Sequence, residues 1–374
     1  MKIAFFSTME GVPWGASEEL WSQAAGLLQQ RGHQVAVSCK YWPALAPRLQ
    51  AIQHHGGAVQ RRSRLAKIVR NVRRSFAAVG LYRGWLKRLH PDLVLVSSAS
   101  QTGDLSVALD CLDLGVPYAI LLHAANPAEG VRAQRRALYR QAYEGARTCF
   151  FVSQAVLRLM RALLASRFAA AEIVENPPNV SRTTRPPWPA TEPVWKLACP
   201  ARFDLASKGH DVIFEVLSDT KWRDRPLQVC LWGPDSAERA HLAELARLLG
   251  VHPQVEFCGL AHDIGRLWAH HHGLLLPSRH EGVPMATVEA MLCGRIPIVT
   301  QVGRNAEFVD DGETGFLAAA ATVELVDQAL ERAWQERDRW QSMGRLAAHR
   351  IRQRTSADPV ADFCDRLLQC AADA

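Results

Sequence analysis

No stretch of this 374-residue chain approaches the ~20 consecutive apolar residues that cross a bilayer, which excludes a spanning helix. The opening Ile3-Ala4-Phe5-Phe6 run is short, ends in polar residues and has no cleavage site; it reads as a first strand and not as a signal peptide, giving a cytoplasmic expectation. The nine cysteines are scattered and never spaced C-x-x-C, so neither a disulfide framework nor a zinc site is supported. His270, His271 and His272 are consecutive, so neither a helix nor a strand aims all three at one metal. The first strand is not followed by G-x-G-x-x-G, which disfavours a dinucleotide-dependent dehydrogenase. Acidic residues are missing altogether between Glu19 and Asp92, where Arg61, Arg62, Arg64, Lys67, Arg70, Arg73, Arg74, Arg83, Lys87 and Arg88 lie.

That gap is half of a larger asymmetry. Residues 1–190 hold 24 basic and 11 acidic residues, and the remainder hold 20 and 26. An ordinary apolar content and this length point to two domains. Both halves alternate short apolar runs with helix-period stretches, the pattern of parallel sheets wrapped by helices. Strands are predicted at 3–7, 34–38, 93–97, 118–122 and 148–152, then at 196–199, 227–232, 255–258, 273–276 and 296–300. The expected organisation is an N-terminal Rossmann-like domain at 1–180, a proline-rich linker at 181–193, a second Rossmann-like domain at 194–353, and a C-terminal helix at 354–374 returning to the first domain. The fold class is therefore α/β, two doubly wound domains facing a cleft.

The most informative segment runs from Leu276 to Gly294. A strand ends at Pro277, a loop carries Glu281 and Gly282, and a helix opens near Pro284 and closes before Gly294. Unpaired N–H groups at that helix start, with the positive end of its dipole, suit a diphosphate. Glu289 lies about one turn into the helix, so both carboxylates can face one ligand. Because carboxylates repel phosphate, cations are required, and Arg202 and Lys208, flanking the loop after the strand at 196–199, are the candidates.

In its ordered set of motifs the chain resembles the retaining glycosyltransferases of the GT-B fold, family 4. Glu281 to Glu289 matches the group's E-x7-E motif; Arg202 with Lys208-Gly209 matches its R…KG element, and Trp232-Gly233-Pro234 its strand-ending turn. Gly15-Ala16-Ser17-Glu18 resembles the G-G-x-E signature, with Ala16 replacing the second glycine, and Gly32-His33-Gln34-Val35 resembles G-H-x-V. Leu122-His123, Val152-Ser153, Asn176-Pro177, Gly259 and Val302-Gly303 with Glu307 complete the series.

The resemblance implies that Glu289 holds the ribose hydroxyls of a nucleotide-sugar donor and Glu281 a hydroxyl of the transferred sugar. Backbone N–H groups of Gly282, Val283, Pro284-Met285 and the Gly233 turn would hold sugar and phosphate; proline itself contributes none. His123 would sit near the reacting sugar. Trp14, Gly15, Ala16 and Ser17 would meet a glycan, lipid-linked or small hydroxyl acceptor. No cofactor is expected, and with no Asp-x-Asp motif no metal either. An epimerase, a glycan phosphorylase and a non-catalytic nucleotide-sugar or lipid-binding relic remain alternatives. The basic segment 61–88 has two readings: a helix covering the N-terminal sheet, or one docking on an anionic membrane surface at the inner face of the membrane. No nucleic-acid recognition module is visible.

Overall fold

A computed structural model describes residues 1–62, 80–190 and 194–372. The apolar stripe and five of the cations of the basic segment (Arg64, Lys67, Arg70, Arg73 and Arg74) lie outside the described residues, as do residues 191–193. The chain divides into two compact units, Met1–Pro177 with Asp358–Ala374, and Pro178–Ala357.

The first unit is built on seven parallel strands: β1 (Lys2–Ser7), β2 (Gln34–Lys40), β3 (Ala58–Arg62), β4 (Leu93–Ser98), β5 (Tyr118–Leu122), β6 (Thr148–Phe151) and β7 (Ala171–Ile173). They are ordered β3-β2-β1-β4-β5-β6-β7. Ile3 to Phe6, Leu93 to Val96 and Tyr118 to Leu122 are buried on both faces, which is why these strands are continuous apolar runs. The helix Glu19–Gln30 covers β1 with Leu20, Trp21, Ala24 and Leu28. The helix Pro359–Ala372 packs on it: Phe363 meets Phe150 edge-on at 5.2 Å, and the Cys364 thiol donates to Ala24 O at 3.5 Å.

The second unit holds β8 (Trp195–Pro200), β9 (Leu227–Trp232), β10 (Val255–Gly259), β11 (Gly273–Leu276), β12 (Ile296–Thr300) and β13 (Phe316–Ala318), all parallel and ordered β10-β9-β8-β11-β12-β13. In each sheet the strand order reverses beside its first strand, and loops at the carboxyl ends there are the natural ligand positions of a doubly wound sheet. The helix Met285–Leu292 packs on β11 and β12 beside the helix Trp340–Arg354, which also meets β12. Close approach is permitted by Gly344, where a Cβ would stand 2.1 Å from Gly294 O.

The proline-rich stretch expected as a linker is instead tied to the second unit. Buried Arg295 donates through Nε to Trp268 O and His271 O, both at 2.8 Å, and through its terminal nitrogens to Cys293 O at 3.0 Å and Pro187 O at 2.5 Å. Its guanidinium also stacks over Trp188 at 5.0 Å. Arg182 donates to Thr355 Oγ1 at 2.7 Å and Ser356 O at 2.8 Å. The Pro187 carbonyl, outside any strand, is thereby satisfied by Arg295.

Candidate functional site

Four loops meet at the carboxyl end of the second sheet. The loop after β8 ends in a single helical turn, Leu205–Lys208, closed by Gly209 in the left-handed region at φ +69°. Glycine is required there twice over, since a Cβ would also lie 2.1 Å from Pro277 O in the loop after β11. Arg279 N donates to Ser207 O at 2.8 Å, and the Arg279 guanidinium clasps Asp211 in two bonds of 2.8 and 2.6 Å. These contacts hold the two loops in register.

The result is a short ion pair. Lys208 Nζ stands 2.6 Å from Glu281 Oε1, with side chains 16% and 9% exposed, and Ser278 Oγ donates to the same oxygen at 2.7 Å. A carboxylate so neutralised no longer opposes an approaching diphosphate, and its position is fixed by two donors. Lys208, expected on phosphate, therefore has one of its three ammonium protons on Glu281.

Glu281 is backed by the turn after β12. Gly303, at φ +60°, sits so close that a Cβ would be 3.0 Å from Glu281 Cβ and 3.1 Å from the carbonyls of Glu281 and Gly282. Thr300 Oγ1 donates to Ser278 O at 2.5 Å, and Asn305 Nδ2 to Thr300 O at 2.8 Å. Gly282, Val283 and Pro284 lead into the helix at Met285, with Pro284 at its N-cap. Glu289 is buried in that helix, and its Oε1 accepts from both the backbone N and Nδ2 of Asn179 at 2.9 Å. Asn179, Ser278, Thr300 and Asn305 had no signal in the sequence, because only the fold brings them to the two glutamates.

Gly233 lies where a Cβ would be 2.5 Å from Ala201 O, and its N donates to Gly259 O at 2.8 Å. The β9 turn thus abuts the Arg202 loop. Arg202 itself is 66% exposed, with its guanidinium 3.8 Å from Asp204; it is not drawn to Glu281. His210, two residues after Lys208, is fully buried with neither ring nitrogen hydrogen-bonded, and burial pulls its pKa down to about 4. It is a neutral ring packed 5.5 Å from Phe203.

In the first unit His123 follows β5, buried, with Nε2 3.2 Å from Ser97 Oγ and no hydrogen bond to Nδ1. Burial pulls its pKa down to about 3, so it is neutral at physiological pH. Trp14 Nε1 donates to Glu19 Oε1 at 2.6 Å, and Gly15 caps the short turn Ala16–Glu18. Ser17 Oγ is 3.5 Å from Glu18 Oε1, whose carboxyl is pushed up by burial, with Ser7 and Arg62 opposing. Only Trp14 of the four expected acceptor residues lines a void there, of about 20 Å³. A much larger groove, about 1260 Å³, opens beyond β1 and β4 between Thr8, Thr102, Asp104, Arg132, Arg135 and Tyr139. No motif marked it.

Two family descriptions match the chain in sequence order: Glycosyltransferase Family 4 over residues 19–182, and Glycosyl transferases group 1 over residues 195–336. Among curated relatives, a glycogen synthase of Pseudomonas syringae pv. syringae is 40% identical over 73 residues. That match spans 20% of this chain and 15% of the synthase. Solved structures match along the whole length. A glycosyltransferase from Rickettsia africae superposes with a TM-score of 0.76 at 16% identity, covering 100% of this chain and 98% of that one. Anabaena Alr3699/HepE in complex with UDP and glucose superposes with a TM-score of 0.79 at 18% identity, covering 99% of each.

Proposed function

The chain belongs to the family 4, group 1 glycosyltransferases of GT-B fold, and from that premise we propose that it transfers a glycosyl group from a nucleotide-sugar donor to a hydroxyl acceptor with retention of anomeric configuration. The observation that carries the reading is the 2.6 Å Lys208–Glu281 pair at the ligand end of the second sheet, beside a helix start. Glu289, oriented by Asn179, takes the ribose hydroxyls. Glu281, oriented by Lys208 and Ser278, takes a sugar hydroxyl. Lys208's remaining protons and Arg202, which swings in from solvent, meet the diphosphate and neutralise the charge that develops as it leaves.

Retention follows if the acceptor attacks on the face the diphosphate vacates and a phosphate oxygen receives the acceptor proton. Neutral His123 orients substrate by hydrogen bonding and does not act as a base at physiological pH. The acceptor occupies the groove of the first unit, where Arg132, Arg135 and Asp104 offer paired recognition of a polyhydroxylated molecule. Because Anabaena Alr3699/HepE was solved with UDP and with UDP-glucose, a UDP-sugar is the first donor to test.

The decisive experiment is a thermal-shift panel of UDP-, GDP-, ADP- and dTDP-sugars followed by NMR of the linkage formed. One donor at 100 times its dissociation constant should stabilise the fold by about 2.7 kcal/mol. An α-linked donor should give an α product; a β product would remove the retaining assignment. Breakdown of donor without acceptor, or dependence on inorganic phosphate, would move the chain to the epimerase or phosphorylase alternative.

A further inference from the structure

The edge of the second sheet away from β13 carries a donor set that the proposed transfer does not use. Cys230 on β9 pairs in register with Glu256 on β10. The ladder then passes from Phe257 opposite Leu231 to Gly259 opposite Trp232, so Cys258 is an extra, bulged residue. The bulge keeps its sulfur with the others: one ligand atom each from Cys230, Glu256 and Cys258 lie within 4.8 Å of one another. The Cys230 thiol points at Glu256 Oε2 at 3.8 Å, and the Cys258 thiol at Glu256 O at 3.8 Å. Cys230 is buried, Cys258 half-buried and Glu256 exposed, so the set opens to solvent on one side.

We propose that Cys230, Cys258 and Glu256 form a site for a soft divalent cation of the zinc type, with water as the fourth ligand. Two thiolates and a carboxylate suit such an ion and not magnesium or calcium, which prefer oxygen. Tetrahedral zinc with Zn–S bonds of ~2.3 Å sets its ligand atoms ~3.8 Å apart, so closing the site needs about 1 Å of movement at most. Loading releases the two thiol protons to solvent. The second thiol, burial and the Glu256 carboxylate all push the Cys230 thiol well up, while Lys196 on β8 pulls it down. Without a cation the Cys230 thiol is therefore protonated.

Spacing conceals the site. Twenty-odd residues separate Cys230 from Glu256 and Cys258, and only the β9–β10 pairing unites them. Its place suggests a brace: Gly259, next to Cys258, accepts the hydrogen bond of Gly233 N at 2.8 Å. The cation would stiffen the strand end that carries the Gly233 turn.

The test uses the full chain, reduced and stripped with chelator, then titrated with Cd²⁺ while thiolate-to-metal charge-transfer absorption is followed, and with Zn²⁺ in competition with a chromophoric chelator. The expected result is one equivalent bound with a cadmium–thiolate band. Cys258→Ser should lose most of the band, and Glu256→Gln should weaken zinc by ~10-fold or more, the range that even an outer partner of a metal ligand commands. Both positions are off the core, and circular dichroism checks that the variants fold. If the wild-type chain gives no band at stoichiometric Cd²⁺, or if Cys258→Ser and Glu256→Gln both bind like wild type, the proposal is overturned.

Discussion

Acidification from pH 7 to pH 5 should destabilise the second unit steeply, for a reason located in three side chains. His210, His271 and His272 are all at most 3% exposed. Burial holds each pKa down at about 4, with Lys208 adding to the effect at His210. His272 Nδ1 accepts from Lys196 N at 2.9 Å, a bond that protonation there would destroy. A folded-state value below the solution value means the unfolded chain binds the proton first. The associated stability is complete above the ordinary histidine value of ~6.5 and is lost as pH falls toward the folded value. Between pH 7 and pH 5 each ring forfeits about 2 kcal/mol, and the three together on the order of 5 kcal/mol, comparable to the whole stability of a marginal domain. Urea unfolding at each pH measures this. His210→Leu, which removes an imidazole without hydrogen bonds, should flatten the dependence by about 2 kcal/mol between the two pH values. Parallel stability–pH curves for wild type and His210→Leu over that interval would refute the assignment.

Lys208→Ala and Glu281→Ala should each cut turnover by ~10²- to 10³-fold with the fold retained; near-normal turnover in either removes the pair from the mechanism. Gly209→Ala should lose at least ~1 kcal/mol of stability together with donor-induced thermal shift, because the new methyl cannot coexist with Pro277 O; an unchanged melting temperature would count against the packing described. Charge reversal of Arg70, Arg73 and Arg74 should release the chain from anionic liposomes at low salt while leaving donor binding unchanged. Failure of the wild-type chain to co-sediment with such liposomes would favour the other reading of the basic segment, a helix that covers the N-terminal sheet.

The interior strands were legible because burial on both faces makes them unbroken apolar runs, as in Leu93 to Val96. β3 was not, since an edge strand reading Ala58-Val59-Gln60-Arg61-Arg62 is mostly exposed and carries no such run. Three-residue β7 and β13 are too short to show a period. The nearness of Lys208 to Glu281 was legible because their loops follow strands expected to be parallel neighbours, as β8 and β11 are. Asn179 is 110 residues from the Glu289 it orients, and nothing local marks it. Composition marked the proline-rich stretch as a linker but carried no sign of the bonds by which Arg295 and Arg182 fasten it to the second unit. Among the described residues no helix is long and apolar enough to cross a membrane, in keeping with the composition.

The helix Pro359–Ala372 has a consequence for synthesis. Its Phe363 and Cys364 lie in the core of the first unit, and Arg31–Asp365 at 2.5 Å and Arg366–Glu172 at 2.9 Å fasten its flank there. A ribosome delivers that piece only after the whole of the second unit. The second unit is continuous from Pro178 to Ala357, whereas the first is interrupted by it, and its helix Glu19–Gln30 stays uncovered until about residue 370 is available. The unit begun first is therefore completed last of the two, and a released chain truncated at residue 357 should expose apolar surface to chaperones on its older half.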